Sequence, residues 1–520
     1  MRSFGAALCA GLVFAILPVL PLLAQGQAGT SPAPTIRATS TLVILDVTVL
    51  DKQGHLVVKG LTPDDFTITE DKQPQRIFSF EPPEAHVAGA NLGEENPTGK
   101  APVGIIVLDV LNSNLQEFGY IRRSVRKYLE AQPAALNAPV ELLVLGNQSL
   151  KMLQGYTRSK QDLLDVLDHL PPEMPAKLMG GVTWDMERFG QSYDALVQIA
   201  LFNRGVPGRK NVIWVGPGSP GVAESELPQG LALKVRRYVH ETVNLLVEAR
   251  ISLFVIHPDL KVDFMKPLLS NPWLNLMSEV INPDSGDPRS GDFNFGMFVS
   301  ETGGKLYFNR NDVDGEISSS QQMGSRYYTL SYQPPAVDAD GRFRRIRVTM
   351  RNPNLRAVTK DGYFAPDRNA SPDPHWQAKM SLYEAAVSTL PYTTLNLKIA
   401  GIARHPDSRA AVLTLQLKPQ NLVWRKTEDG KSAINLVVAG VCLTPRRDVL
   451  SSSVEEVTLQ ANTQDPNRLA DLVLSPKLSL TVPRRTASVR VVMESEDGGQ
   501  MGTADLDRTA LDAAPSQSTP

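Results

Sequence analysis

Between Val103 and Phe308, short and almost wholly apolar runs alternate with longer segments whose apolar residues recur three or four positions apart. The runs are Val103 to Leu108, Val140 to Leu145, Val212 to Val215, Ile251 to Ile256 and Lys305 to Phe308. A strand that is apolar at nearly every position has no face to offer water, so it belongs in a parallel sheet covered on both sides. Between the runs, Phe118, Ile121, Val125 and Leu129 line one face of a helix whose other face carries Arg122, Arg123, Arg126 and Lys127. Leu163, Leu167 and Leu170 make a second stripe, Tyr193 to Phe202 a third, and Leu231, Val235, Val239, Thr242 and Leu246 a fourth. Strand and helix alternate throughout, which predicts a doubly wound, mainly parallel α/β domain over residues 103–323.

On both sides of this region the period falls to two. Leu45, Val47 and Val49 alternate with polar residues, the turn Asp51 to Gly54 leads to a strand expected at His55 to Val58, and the alternation returns at Phe66, Ile68 and Ile77 to Phe80. This is a β module over 36–82, and the aperiodic stretch 83–102 reads as a linker. After Tyr327 the pattern resumes through Tyr328, Leu330, Tyr332, Ile346, Val348 and Met350, with a further strand expected from Val358 to Phe364. Neither β segment is long enough to bury a two-sided core alone. The segment 324–366 is therefore expected to pack with 36–82, with the α/β domain inserted between them. From 375 to 506, alternating strands recur at intervals that suit a C-terminal β-sandwich, and the residues 507–520 have the composition of a disordered tail.

The 520 residues carry a net charge of -2, with no basic excess to neutralise a phosphate backbone, so nucleic acid is not an expected partner. Arg2, the apolar run from Phe4 to Ala24 and the small and polar residues that follow have the order of a secretory signal over 1–28, ending at Ala24 or Ala28. Pro18 and Pro21 shorten the apolar stretch below the ~20 residues of a spanning helix, so no membrane span is expected in the mature chain. Its removal leaves Cys442 alone, in an alternating run that makes it a buried strand residue rather than a nucleophile. The expected location is periplasmic, outer-membrane-associated or secreted.

Three segments then resemble one family. Gly60-Leu-Thr-Pro-Asp-Asp-Phe66 with Glu70-Asp-Lys-Gln-Pro74, the strand end Leu108-Asp-Val-Leu-Asn-Ser113, and Thr302-Gly-Gly304 followed by Tyr327 to Tyr332 and Gly362-Tyr-Phe364 look like the secreted bacterial von Willebrand factor A-related proteins of the Acidobacteria type. Gly208-Arg-Lys-Asn-Val-Ile-Trp214 is similar to that family's fourth sheet strand. The resemblance spans roughly residues 41–366 and implies a von Willebrand A-like fold and an exported location, without a particular activity.

Domains of the wider class often hold Mg²⁺ or Mn²⁺ at the carboxyl end of the sheet through Asp-x-Ser-x-Ser, a loop Thr and a second Asp, because a hard cation takes oxygen ligands. On that pattern Asp109 and Ser113 match the first and last motif positions, while Leu111 offers no oxygen and Gly216-Pro-Gly218 lacks the second carboxylate. Thr183 is the candidate loop ligand, and Asn112 or a partner's carboxylate would complete a weak, degenerate metal-ion-dependent adhesion site. The other reading is that Asp109 and Ser113 cap the helix beginning at Leu115. No cofactor is expected to be required, with at most weak Mg²⁺ or Mn²⁺ binding.

Catalytic patterns are poor. There is no His-Glu-x-x-His pair, Ser219 has Pro217 and Pro220 where a nucleophile elbow needs a tight turn, and Arg310 replaces the first ligand of a calcium loop at Asp312, Asp314 and Gly315. His257 is expected to shape its loop. The expected function is exported, non-catalytic protein binding or adhesion. An envelope hydrolase or chaperone-like assembly factor, its site assembled only in space, is the alternative.

Overall fold

The computed structural model describes residues 42–86, 101–170, 182–258, 293–334, 339–366 and, with short breaks, 376–513. The expected signal segment and most of the expected linker lie outside them. The chain opens with β1 (Val43–Leu50), β2 (Phe66–Glu70), β3 (Gln73–Gln75) and β4 (Ile77–Glu81). The strand expected at His55 to Val58 does not form. Leu56 makes a single bridge to Leu50, while the Asp51 carboxylate accepts from the Gln53 and His55 amides at 2.9 and 2.8 Å and curls the chain into a turn.

The α/β unit runs β5 (Val103–Asp109), α1 (Leu115–Glu130), β6 (Ala135–Leu145), β7 (Leu150–Ser159), α2 (Lys160–Asp168), α3 (Val182–Asn203), β8 (Lys210–Val215), α4 (Gln229–Glu248), β9 (Ile251–Pro258), α5 (Met297–Glu301), β10 (Lys305–Arg310) and α6 (Val313–Ser325). Its six strands lie in the order β10-β9-β8-β5-β6-β7, parallel everywhere except between β6 and β7. The apolar runs are split between two helical layers. Ile105, Val107, Val212, Trp214, Leu253 and Val255 share a cluster with α3, α4 and α5, while Ile106, Leu108, Ile213, Val215, Phe254 and Ile256 share another with α1, α2 and α6. At ~1.5–3 kcal/mol for each large apolar side chain removed from water, these two layers are the main source of stability in the unit. The edge strand β7 carries Lys151, Gln154 and Arg158, so it lacks the apolar run that marks the inner strands in the sequence.

The chain then returns to its first strands with β11 (Tyr328–Tyr332), β12 (Phe343–Met350), β13 (Arg356–Val358) and β14 (Gly362–Phe364). β11 inserts between β1 and β4, placing Leu45 opposite Leu330, and β12 pairs with β2, placing Ile68 opposite Val348. Two four-stranded sheets, β13-β1-β11-β4 and β14-β12-β2-β3, enclose one cluster containing Leu45, Val47, Phe66, Ile68, Leu330 and Ile346. The single strand expected from Val358 to Phe364 is two short strands, one in each sheet.

The C-terminal region begins with helix α7 (Trp376–Val387), inside the bounds 375–506 expected for a β-sandwich and ahead of its first strand. Leu382, Ala385 and Ala386 of α7 bury against the α3 and α4 layer instead. β15 (Asn396–Arg404), β16 (Ala410–Lys418), β17 (Arg425–Lys426), β18 (Ser432–Leu443), β19 (Val449–Ala461), β20 (Lys477–Thr481), β21 (Ser488–Ser495) and β22 (Met501–Asp507) follow. They form a three-stranded sheet, β15-β16-β20, and a five-stranded sheet built on β18 and β21, both antiparallel. Leu413, Leu415, Ile434, Leu436, Val491 and the buried Cys442 lie in one cluster drawn from both sheets. The expected disordered tail starts instead with helix α8 (Arg508–Asp512), which Asp507 caps by accepting from Ala510 N at 2.8 Å and which buries Leu511. Residues beyond 513 lie outside the described chain.

One carboxyl breaks the apolar pattern of the parallel sheet. Glu141 of β6 is fully buried, neither of its oxygens has a well-formed hydrogen bond among the described residues, and burial pushes it up to about 8, only partly offset by the nearby Tyr156 hydroxyl. The group is therefore neutral at pH 7 in the folded chain and ionised in the unfolded one. Its contribution to stability is fully present below about pH 4.5 and is lost as the pH climbs toward about 8. Glu141→Gln, which keeps the shape without the proton, should flatten the pH dependence of urea unfolding across that window by roughly 1.4 kcal/mol per pH unit at most. An unchanged slope would show that Glu141 is not buried as a neutral acid.

Candidate functional site

In a doubly wound sheet the ligand crevice opens where neighbouring strands leave in opposite directions, at their carboxyl ends. Here that point lies between β5 and β8, and the carboxyl end of β5 is Asp109. Its side chain is fully buried. Oδ1 accepts from Asn112 N and Asn112 Nδ2, both at 3.0 Å, and Oδ2 accepts from Trp214 Nε1 at 3.0 Å and Gly218 N at 2.9 Å. An ionised carboxylate has about four lone-pair directions, and the protein fills them all. Desolvation outweighs these donors and raises Asp109 to about 6, so the carboxylate is charged at pH 7 but held weakly.

The cluster extends from β5 to α3. Asn112 Nδ2 also donates to Ser192 Oγ at 3.0 Å, and Arg188 Nη1 lies 3.5 Å from Asn112 Oδ1. Arg188 and Ser192 are four residues apart and so share a helix face. Arg188 pairs with Asp185 one turn earlier, and its side chain is mostly buried. A guanidinium thus sits beside the residues that the sequence marks as cation ligands.

Of those candidates, the structure brings Asp109 and Asn112 into direct contact. Ser113 is buried with its hydroxyl free of any hydrogen-bond partner among the described residues. The Thr183 side chain lies outside the described residues, although its backbone begins α3. The capping role also falls elsewhere. Asn114 accepts from Glu117 N at 2.8 Å and the Glu117 carboxylate accepts from Asn114 N at 2.7 Å, a reciprocal capping box that leaves neither Asp109 nor Ser113 as the cap of α1.

The donor set does not fit a tightly held Mg²⁺ or Mn²⁺. Asp109 is already saturated, Leu111 is fully buried and apolar, Arg188 adds like charge, and no group of three or more His, Cys, Asp or Glu side chains gathers among the described residues. Gly216, at φ +148°, closes tightly on the site, because a Cβ there would stand 2.4 Å from Asp109 Cβ. Trp214, Arg188, Ser192 and Gly218 are the members of the cluster that sequence reading missed. Only the i, i+4 spacing of Arg188 and Ser192, just ahead of the helical stripe expected at Tyr193 to Phe202, could have hinted at it. Among the described residues Ser219 and His257 join no catalytic set: the buried Ser219 hydroxyl lies beside Tyr193, and His257 packs edge-on against Phe308 at 5.0 Å. Asp312 is the N-cap residue of α6, and Asp314 and Gly315 lie in its first turn.

No family model matches the chain, and no curated protein matches it by sequence. Solved structures similar to it include the PilB minor pilin from Streptococcus sanguinis, at 10% identity and TM-score 0.24, over 44% of this chain and 61% of the pilin. The chain therefore spans less than two thirds of that pilin. The SpRpn10 VWA domain is similar at 13% identity and TM-score 0.23, over 43% of this chain and 97% of that domain. The human COPII-coat protein Sec24c is similar at 9% identity and TM-score 0.24, over 57% of this chain and 47% of its own. No helix among the described residues is long and apolar enough to cross a membrane.

Gly216→Asp tests directly whether a second carboxylate can be accommodated beside Asp109. The variant should lose about 2 kcal/mol or more of stability, from side-chain overlap and a backbone that L-residues rarely adopt, and should gain no Mg²⁺ affinity. Urea unfolding with and without Mg²⁺ reads both quantities, and metal-dependent stabilisation of the variant would contradict the geometry.

Proposed function

We propose that this chain is an exported, non-catalytic protein-binding protein of the adhesion type, in which a von Willebrand A-like domain is inserted in a β module and followed by a β-sandwich. The observation that carries the metal-free part of this reading is the saturated Asp109 carboxylate. A cation-dependent adhesion site must offer ligand oxygens to the metal and keep a coordination position for the partner. Here the oxygens at the switch point are turned inward, onto Asn112, Trp214 and Gly218. The crevice is thereby closed by the protein's own hydrogen bonds, and recognition rests on surface and loop complementarity instead.

Export is supported by the order of residues at the N-terminus. Protein binding is the reading suggested by the resemblance of residues 41–366 to von Willebrand factor A-related proteins. A proximity-labelling screen in the native envelope would identify the partner, and covalent capture of a Ser by an activity-based probe would favour the hydrolase alternative.

Calorimetric titration of the whole protein with Mg²⁺, Mn²⁺ and Ca²⁺, beside Asp109→Ala, tests the mechanism. The expected result is binding no tighter than about millimolar, with thermal unfolding unchanged by chelator. Micromolar affinity that Asp109→Ala abolishes would replace this reading with metal-dependent adhesion.

A further inference from the structure

At the opposite, amino-terminal edge of the parallel sheet, a cleft of about 380 Å³ opens where all three parts of the chain meet. Glu81 and His86 line it from the β module, Arg204, Lys210, Glu248 and Arg250 from the α/β unit, and Gln500 from the C-terminal hairpin. The size is within the ~300–1,000 Å³ range of small-molecule sites.

Its charges are unevenly matched. Arg250 makes a two-pronged ion pair with Asp46 through Nε at 3.0 Å and through Nη2. Arg204 pairs with Glu494 and lies 3.9 Å from Glu248, and His86 lies 3.9 Å from Glu81. Lys210 is different. It is 1% exposed, and its ammonium donates to two carbonyls, Val206 O and Gly208 O, the latter at 2.8 Å, without a carboxylate partner among the described residues. The one carboxylate that acts on it, Asp46, also serves Arg209, Arg250 and Lys360. The single negative charge of Asp46 is thus shared among four cations. A buried charge without a partner is costly, and an ammonium held by two carbonyls on the wall of an open cleft leaves room for an incoming acceptor.

We propose that this junction binds a small oxyanion, a carboxylate, sulfate or phosphate group on a small molecule, with Lys210 as its principal contact and Arg250 and Arg204 at its flanks. The ligand supplies the missing counter-charge and bridges the three parts of the chain. Binding is linked to protonation. Desolvation and then the Arg250 charge push Lys210 down to about 7, and a bound anion favours its charged form, so affinity falls as the pH rises through and above that value. His86, Glu81, Glu248, Arg204, Arg209, Lys360 and Asp46 face the same region, and a Lys210 variant separates its proton from theirs.

The test is calorimetric titration of the whole protein with sulfate, and separately with succinate, at about pH 6 and about pH 9 under matched ionic strength. Sulfate keeps its charge across this range. We expect saturable binding at the lower pH, weakened about tenfold or more at the higher one. Lys210→Met should abolish the binding while raising the stability of the ligand-free protein, because it removes an unpaired buried charge, whereas Lys398→Met, which removes an exposed cation, should leave it intact. Absence of saturable binding by either anion in the wild type, or binding equal in Lys210→Met, would overturn the proposal. The pH arm on the wild type keeps the test decisive should Lys210→Met fail to fold: binding indifferent to pH would refute the role of Lys210. None of these outcomes depends on the cation titration of Asp109, so the two readings fail separately.

Discussion

The antiparallel pairing of β1 with β11 is the constraint on which the rest of the architecture depends. It joins Asp46 to Thr329, 283 residues apart, and so closes a loop that contains the entire parallel sheet. A β module split in this way cannot bury Leu45, Val47 and Leu330 until the α/β unit has brought its own ends together. The contacts at the seam match that requirement. Arg250, at the turn between α4 and β9, reaches Asp46 of β1, and Arg209, just before β8, donates to Thr48 at 2.8 Å and to Ser252 at 3.1 Å. Both arginines leave the α/β unit at the amino-terminal edge of its sheet, and that edge is the one that docks on the β module. The carboxyl edge, where α/β folds form their crevices, stays clear of that contact.

At that free edge the protein resolves the same physical problem in the opposite way. A carboxylate at the end of a fully buried strand must be neutralised, hydrogen-bonded or given a metal. Asp109 has four protein donors, and the cost of burial still raises it to about 6. The tight approach of Gly216 to Asp109 and the position of Arg188 beside Asn112 follow from the same inward arrangement. A cation would have to displace several of these donors at once. The arrangement thus resists metal on energetic grounds, through competition for lone pairs, and on electrostatic grounds, through the guanidinium.

Most of the fold was legible because burial on two faces leaves an unambiguous trace. The runs at Val103, Val140, Val212 and Ile251 each contain residues for both helical layers, and no other common structure asks for that. β7 was not legible because its outer edge meets water and its sequence mixes Lys151, Gln154 and Arg158 into the strand. α7 was missed for a related reason: an element buried between two units is apolar on more than one side, and its stripe is blurred. The site was legible only in part. Asp109 follows its strand in the sequence, and Asn112 is three residues away, but Trp214, Gly218, Arg188 and Ser192 reach it from 76 to 109 positions later. Such convergence is a property of the strand order, which a local pattern does not encode.

The strand β8 connects both polar centres. Lys210 begins it at the docked edge, and Trp214, one residue from its end, donates to Asp109 at the free edge. With a rise of about 3.3 Å per residue the two groups stand roughly 13 Å apart along a strand paired on both sides. Energetic coupling over such a distance needs an element with two discrete arrangements, and a close-packed central strand has one. β8 is held to β5 and β9 along its whole length, and its side chains at 212, 213, 214 and 215 are fully buried between two helical layers. A ligand at the three-way junction therefore acts on the β module and the C-terminal hairpin, whose contacts it bridges, rather than through the sheet on Asp109. The rigidity that lets the sheet hold a saturated carboxylate at one edge also insulates that carboxylate from the other edge.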